Sequence, residues 1–287
     1  MNAHREERSD DGLERKIASG LAFLRRRIAG EYEVDEFGFD PEFNGTVLLP
    51  VARALYEHWF RTEVFGLEHV PEKGGALIVA NHSGTVPLDG IMLSVAVHDG
   101  ADRRLRLLGA DLVYQMPLLG HLSRKAGHTL AGPADAARLL GKGELVGVFP
   151  EGFKGVGKPF ADRYKLQRFG RGGIAQTALR AGVPIIPAAI VGAEEIYPKI
   201  ADFRPLARLL GLPYFPITPT FPLLGVAGLL PLPSKWMIQF GEPMSLAEYD
   251  ADAADDPMTV FNITDHVREN VQQMLYDTLL RRGPAFL

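Results

Sequence analysis

Short apolar runs of the kind that form buried strands alternate along this chain with segments of helical periodicity. The runs predicted as strands cover residues 76–80, 105–108, 145–149, 183–191 and 235–240. Helices are predicted between and before them at residues 47–60, 91–97, 133–140 and 173–180. Strands joined by helices run parallel to one another and are covered by those helices. The pattern therefore predicts an α/β fold, with a mostly parallel central sheet flanked by helices.

Amphipathic helices are predicted near both ends of the chain, because apolar residues recur there every three or four positions. In the first helix these residues are Leu13, Ile17, Leu21, Leu24 and Ile28. In the last helix they are Ile263, Val267, Val271, Leu275 and Leu279. An acidic segment, residues 31–42, follows the first helix. We therefore expect a helical and acidic lead-in over residues 1–45 and one main domain over residues 46–287.

The composition excludes several classes of function. The chain has no cysteine, which removes disulfides, thiol nucleophiles and thiolate metal ligands. Its 31 Lys and Arg against 35 Asp and Glu give a formal net charge of −4, unlike a basic nucleic-acid-binding protein. No dense spacing of metal ligands occurs, so no metal is expected. Neither a secretory signal nor an apolar run of about 18 residues is found, which predicts a cytoplasmic protein without a transmembrane helix.

Two polar, glycine-containing loops follow predicted strands directly. The first, residues 81–90, reads Asn-His-Ser-Gly-Thr-Val-Pro-Leu-Asp-Gly, and the second, residues 150–155, reads Pro-Glu-Gly-Phe-Lys-Gly. Ligands of parallel sheets gather at the carboxyl ends of the strands. We therefore expect the two loops to lie together and to form the functional site.

His82, in the first loop, is a candidate general base. A neutral imidazole can take a proton from an alcohol as the alcohol attacks a carbonyl carbon. Asp89 could hold the second ring nitrogen and fix the tautomer, as the carboxylate of a catalytic triad does. Two structural alternatives stay open: His82 could bond to nearby backbone, and Asp89 could cap the helix that follows.

Two well-known site motifs are absent or incomplete. No Gly-x-Ser-x-Gly elbow occurs, so a serine hydrolase has no local support. The segment 152–158 fits the first seven positions of a phosphate-binding P-loop, but Pro159 stands where a magnesium-binding Ser or Thr is required. The chain is therefore not expected to be a nucleotide hydrolase of that class.

Basic residues are concentrated after the second loop. They are Lys154, Lys158, Arg163, Lys165, Arg168, Arg171 and Arg180, against the single acid Asp162. Arg168 and Arg171 precede a predicted helix, whose first amide groups would favour an anion. A phosphate-bearing substrate would fit there, and a solvated basic face is the alternative.

Four segments, taken in order, resemble the glycerolipid acyltransferases, the phospholipid/glycerol acyltransferase family that includes lysophosphatidate acyltransferase. They are 78–83 (IVANHS), 148–152 (VFPEG), 168–179 (RFGRGGIAQTAL) and 183–188 (VPIIPA). The resemblance covers roughly residues 65–191, the motif-bearing core of the predicted main domain. In one respect the chain departs from the family pattern, which places Asp five positions after His. Here six residues separate His82 from Asp89, and we expect a longer loop in which Asp89 still reaches the imidazole.

The resemblance implies an O-acyltransferase that moves a fatty acyl group from acyl-CoA or acyl carrier protein to a glycerolipid hydroxyl. Lysophosphatidate or another lysophospholipid is the expected acceptor. The alternatives are a neutral acceptor such as diacylglycerol, and an inactive lipid-binding protein of the same fold. The thioester is a co-substrate, and no other cofactor is expected. His82 and Asp89 would be catalytic, and the expected substrate-binding residues are Phe149, Pro150, Glu151, Gly152, Lys154, Arg168 and Arg171.

Such substrates reside in membranes, so we expect the protein to work as a peripheral enzyme on the inner face of the cell membrane. Two segments could contact lipid: the first amphipathic helix, which ends in Arg25-Arg26-Arg27, and the uncharged apolar segment 221–233. The alternative for the second segment is that its leucines complete the core, since short apolar runs are ambiguous by pattern.

Overall fold

A seven-stranded sheet forms the centre of the computed structural model, which describes residues 18–83, 85–170 and 172–286. In chain order the strands of the described residues are β1 (Glu63–Phe65), β2 (Ala76–Ala80), β3 (Leu105–Gly109), β4 (Thr129–Leu130), β5 (Leu145–Val148), β6 (Ile185–Val191), β7 (Ala201–Asp202), β8 (Pro216–Ile217) and β9 (Met237–Phe240). The central sheet has the order β1-β9-β6-β2-β5-β3-β4, and β7 and β8 form a separate pair.

Every neighbouring pair of the central sheet is parallel except β6 and β9, which are antiparallel. Five strands therefore run in one direction, and β9 and β1 run in the other along one edge. The predicted mostly parallel sheet is confirmed.

Helices account for most of the remaining structure. The described helices are α1 (18–29), α2 (Pro41–Phe43), α3 (Leu49–Ala54), α4 (Leu88–Ala101), α5 (Asp111–Gln115), α6 (Pro117–Lys125), α7 (Pro133–Gly141), α8 (Phe153–Val156), α9 (Gly173–Ala181), α10 (Arg204–Leu209) and α11 (Pro257–Arg282). Wide π-helical turns, Asn44–Leu48 and Leu55–Trp59, join α2 to α3 and continue α3. None of the described helices is long and apolar enough to cross a membrane.

The core consists of two apolar layers, one on each face of the sheet. Side chains alternate between the faces along a strand, so Ile78 of β2 packs into one layer and Leu77 and Val79 pack into the other. The first layer is closed by α4 and by Trp236, which stacks on Phe60 with ring centroids 4.6 Å apart. The second is closed by α7, α9 and α11. Both layers hold the carboxyl ends of β2, β5 and β6 in fixed positions.

The two predicted amphipathic helices pack differently. The apolar stripe of α11 is buried against the sheet, as predicted. The stripe of α1 is not, because Leu21, Leu24 and Ile28 are exposed; Leu13 and Ile17 lie outside the described residues. The arginines at its end are partly engaged, since Arg26 pairs with Glu42 and Arg27 pairs with Asp40.

Asp40 anchors the lead-in to the main domain. Its fully buried carboxylate accepts hydrogen bonds from Arg27 and from Lys125 of α6, the latter at 3.1 Å. Burial alone would raise the pKa of Asp40, but these two bonds and the Phe43 amide lower it to about 2. Arg27 is therefore held by a buried carboxylate and is not free to meet lipid headgroups.

Candidate active site

The first loop begins at a fixed point, because Asn81 links β2 to β6. Its buried amide donates to the carbonyl oxygen of Ile190 at 2.9 Å and accepts from the Ile190 amide at 2.7 Å. Because the Asn81 side chain bonds both the carbonyl and the amide of Ile190, as a neighbouring strand would, it holds the end of β2 against β6. His82 therefore leaves β2 in a defined direction.

Asp89 reaches the His82 imidazole, as the longer loop was expected to allow. Its Oδ2 lies 2.8 Å from His82 Nδ1, and the same carboxylate accepts the backbone amides of Ser83 at 2.8 Å and Gly90 at 2.9 Å. Asp89 is fully buried in the first turn of α4. The N-cap position of α4 is Pro87, so Asp89 is not the cap that the alternative interpretation expected. Its carboxylate instead accepts one amide of the first turn while it holds the imidazole.

This contact sets the tautomer of His82. A carboxylate that accepts two backbone N–H groups acts as an acceptor, so Nδ1 of His82 carries the proton and Nε2 presents a lone pair. No described residue hydrogen-bonds Nε2. The ring stacks on Phe149 with centroids 4.5 Å apart and is 15% exposed at its side chain. Asp89 and Phe149 therefore orient the imidazole, and the nitrogen that would accept a proton has no hydrogen-bond partner among the described residues.

Glu151 joins the second loop to the first. Its Oε1 accepts the His82 amide at 2.9 Å, and its Oε2 accepts the Gln167 amide at 2.6 Å. The loops approach so closely that a Cβ at residue 155 would lie 2.7 Å from the His82 carbonyl oxygen, so Gly155 is required there. The buried carboxylate thus fixes the backbone of His82, and a role toward the acceptor stays a prediction.

Lys158 and Glu194 belong to the same polar cluster, and the sequence did not single them out as a pair. Lys158 is buried, with Nζ 3.1 Å from Glu194 Oε1 and 3.6 Å from Glu151 Oε2. Glu194 also accepts the Tyr164 amide at 2.9 Å. The one available signal was the position of Glu194, just beyond the carboxyl end of β6, where sites of such sheets are found.

Some of the other basic residues after the second loop contact neighbouring side chains at the surface, and others form no ion pair with a described residue. Arg163 lies over the Phe160 ring, Lys165 faces Asp162, and Arg180 pairs with Asp255 at 2.7 Å. Lys154 and Arg168 are exposed, and no described residue forms an ion pair with either. Arg171 lies outside the described residues.

Arg168 lies close to the second loop. The amide of its preceding residue donates to Glu151, and the Gly170 amide donates to the Pro150 carbonyl at 3.4 Å. The predicted loop residues Phe149, Pro150 and Gly152 are half-buried. The structure therefore places every described residue of the predicted site in the two adjoining loops or next to them.

Comparison with known proteins agrees with this geometry. The model of the family described as Acyltransferase matches residues 61–191, which include both loops. The chain belongs to the acyltransferase family. An uncharacterized protein of Mycobacterium tuberculosis is 56% identical over 282 residues, covering 98% of this chain and 79% of that protein. One from Mycobacterium leprae is 56% identical over 276 residues, covering 96% and 75%.

A human protein named "DGAT1/2-independent enzyme synthesizing storage lipids" is 30% identical over 171 residues, covering 58% of this acyltransferase and 51% of that protein. Among solved structures, the 1-acyl-sn-glycerophosphate (LPA) acyltransferase PlsC of Thermotoga maritima superposes with a TM-score of 0.54. The match covers 91% of this chain and 88% of PlsC at 18% identity, so it shows a shared fold.

The arrangement in this acyltransferase suits direct attack by a substrate hydroxyl. An oriented neutral imidazole with a free Nε2 can accept the hydroxyl proton. The neighbouring Ser83 is fully buried, so its hydroxyl cannot meet a substrate as a nucleophile. Within the described residues, no group of three or more His, Asp or Glu side chains is placed to hold a metal ion.

The polar cluster predicts a pH dependence of stability. Burial raises the pKa of Glu194 from 4.5 to about 7, and the charge of Glu151 adds to the rise, although Lys158 and the Tyr164 amide oppose it. The folded protein therefore keeps a proton that the unfolded chain releases, and this stabilisation is complete below about pH 4.5 and is lost as the pH rises through about 7. Relative to Glu194→Gln, the wild-type free energy of unfolding should fall by up to about 3 kcal/mol between about pH 5 and pH 8.

Urea unfolding of both proteins at several pH values measures this difference. Glu269→Gln, an exposed glutamate on α11, is the control and should show no such slope. If the difference in free energy of unfolding between wild type and Glu194→Gln does not change with pH, the pKa of Glu194 is not raised.

Proposed function

We propose that this acyltransferase acts on glycerolipids, moving a fatty acyl group from acyl-CoA or acyl carrier protein to the hydroxyl of lysophosphatidate or another lysophospholipid. The observation that carries the proposal is the His82–Asp89 contact, which leaves Nε2 free at the junction of the two loops. The shared fold with an LPA acyltransferase supports the same substrate class.

The reaction follows from the position of the imidazole. His82 Nε2 takes the proton of the acceptor hydroxyl as its oxygen forms a bond to the thioester carbonyl carbon. Asp89 stabilises the imidazolium that results. The carbon–sulfur bond then breaks, and the imidazolium returns the proton to the departing thiolate. No covalent acyl-enzyme is needed, which agrees with the lack of cysteine and the burial of Ser83.

The decisive experiment measures release of free CoA from a long-chain acyl-CoA by the purified protein. Lysophosphatidate should stimulate the release, and the acylated lipid should appear in equal amount. Stimulation by diacylglycerol instead would favour a neutral acceptor, the alternative supported by the human relative named for storage-lipid synthesis. Absence of free-thiol release with every acceptor, from acyl-CoA and from acyl carrier protein alike, would leave a lipid-binding protein.

We propose that Arg168 binds the phosphate of the acceptor together with Lys154 and Arg171. Arg168→Ala should raise the KM for lysophosphatidate about ten-fold or more and change kcat little, because the lost contact is made before and during the reaction alike. With a neutral acceptor the same variant should resemble wild type. Steady-state kinetics with both acceptors test this.

Arg180→Ala is the matched control, since it removes the same charge from the same basic segment but from a residue paired with Asp255. Equal increases in KM for Arg168→Ala and Arg180→Ala would show that general charge, and not a phosphate contact, is responsible.

We further propose that the enzyme is cytoplasmic and works as a peripheral protein on the inner face of the cell membrane. Acceptors that carry a long acyl chain partition into bilayers, so an enzyme that acts on them must contact the lipid surface. The protein then requires a face that contacts lipid and lies near His82.

A further inference from the structure

Between β6 and β9 the chain runs outside the central sheet through a segment that is unusually apolar. Its residues 203–233, here called the apolar excursion, contain two arginines, Arg204 and Arg208, and no acidic residue. The excursion comprises α10, the strand β8 and a 3-10 turn at Gly225–Leu229. It differs in this from the rest of the chain, where acids outnumber bases.

Most large apolar side chains of the excursion point into solvent. Leu223 and Val226 are each 83% exposed and Leu209 is 81% exposed. Others that are exposed are Phe203, Leu210, Leu224, Leu229 and Leu230. Sequence pattern alone left open whether these leucines complete the core, and the structure places them outside it. Exposed apolar groups in such number mark an interaction surface.

We propose that the apolar excursion docks on an anionic membrane surface, with its leucines among the acyl chains and its two arginines at the headgroups. The charge supports this partner, because Arg204 is 81% exposed at its side chain and has only a 4.0 Å contact with Asp202, and no described residue forms an ion pair with Arg208. Basic residues beside exposed apolar ones are the pattern of interfacial membrane binding. The inference rests on the proposed function and names the face by which the enzyme meets its lipid.

The excursion is bonded directly to the catalytic loop. The Tyr214 hydroxyl donates to the Thr85 carbonyl at 2.5 Å, and the Thr85 hydroxyl donates to the Tyr197 carbonyl at 3.1 Å. Tyr197 in turn donates to the Leu229 carbonyl at 2.5 Å, inside the 3-10 turn. Thr85 stands between His82 and Asp89, so docking of the excursion brings the loop that carries the imidazole to the lipid surface.

The helix α1 also exposes apolar side chains, yet it is the weaker candidate. Arg26 and Arg27 pair with Glu42 and Asp40, and the acidic segment 31–42 follows directly. Those carboxylates would repel an anionic surface. The geometry therefore assigns docking to the excursion and leaves α1 as a matched control.

The test is co-sedimentation of the full chain with vesicles of phosphatidylcholine, and with vesicles of phosphatidylcholine and phosphatidylglycerol in equal parts. Wild type should pellet with the anionic vesicles at low salt, and salt should weaken binding. Leu223→Glu with Val226→Glu should lower the partition coefficient at least about ten-fold. Arg204→Ala with Arg208→Ala should lower it about twenty-five-fold on anionic vesicles only, since each basic residue near the surface contributes about five-fold.

The control is Ile28→Glu with Leu280→Glu, which adds the same charge at residues 88% and 86% exposed on α1 and α11. It should bind as wild type does. Failure of wild type to pellet, or equal losses in the control, would overturn the proposal. A wild-type protein that does not bind vesicles but forms a dimer in solution would also overturn it, if the Leu223→Glu, Val226→Glu variant is monomeric. The apolar excursion would then bind a second copy of the chain.

Transfer from a short-chain acyl-CoA to a short-chain, water-soluble lysophosphatidate separates this proposal from the proposed function. The excursion variants should keep transfer between soluble substrates and lose transfer to long-chain acceptors in vesicles. Loss of both activities at native secondary structure and Tm would overturn the docking role. Vesicle binding without transfer in wild type would refute the proposed function and leave docking intact.

Discussion

Replacing His82 with alanine is expected to lower kcat for acyl transfer by about 10²–10⁴-fold, the usual contribution of a positioned general base. The imidazole is the group that Asp89 orients, and its Nε2 is free to take a proton. The fold should survive, because His82 lies in a loop outside both apolar layers and its backbone amide still donates to Glu151. CoA release measures the rate, and thermal unfolding measures the fold.

His98→Ala is the control for this experiment. His98 lies on α4, and its Nδ1 is 2.8 Å from Asp99 Oδ1, so it makes the same kind of contact away from the site. It should retain wild-type turnover. A His82→Ala protein that keeps more than about a tenth of wild-type turnover would rule out the role of general base.

The sheet and the contact between the two loops could be predicted because both are encoded locally. Buried strands such as β2 appear as continuous apolar runs, and parallel topology places their carboxyl ends together. These two facts predict that His82 and Glu151 lie at the same edge of the sheet. The family resemblance added that Asp89 should reach the imidazole, and the structure confirms that contact.

The antiparallel edge could not be predicted in the same way. The strand β1 has three residues, and its middle one, Val64, is the one that packs against the core. A strand of that length carries no periodicity. Its pairing with β9 joins residues far apart in sequence, and no local pattern reports such a pair.

Lys158 shows a second limit of sequence reasoning. A lysine in a glycine-rich polar loop is normally a surface residue, and nothing beside it indicates burial. Its partner Glu194 is 36 positions away and follows a different strand. Only the fold brings them together, and the same holds for Arg27 and Asp40, where tertiary contacts make a predicted surface arginine the partner of a buried carboxylate.

Replacing Asp89 with asparagine is expected to lower kcat nearly as far as loss of His82, while the protein stays folded. When the asparagine oxygen stands at the Oδ1 position and accepts the Gly90 amide, its NH₂ group stands at the Oδ2 position and faces His82 Nδ1. The imidazole must then accept at Nδ1 and carry its proton on Nε2, where it cannot take the proton of the acceptor hydroxyl. The comparable exchange in a Ser-His-Asp triad costs about 10⁴-fold.

The effect on kcat, measured beside stability, distinguishes this role from simple helix capping. Asparagine and aspartate are comparable N-caps, so a capping Asp89 would give an asparagine variant with nearly unchanged kcat. The control is Asp256→Asn at the start of α11, where the carboxylate accepts the Met258 and Thr259 amides and no catalytic group is near. Asp89→Asn should cost at most about 1–3 kcal/mol in the free energy of unfolding, and Asp256→Asn should change the Tm little. Only Asp89→Asn should also abolish CoA release, because only there does the carboxylate determine which imidazole nitrogen is free to act as the base.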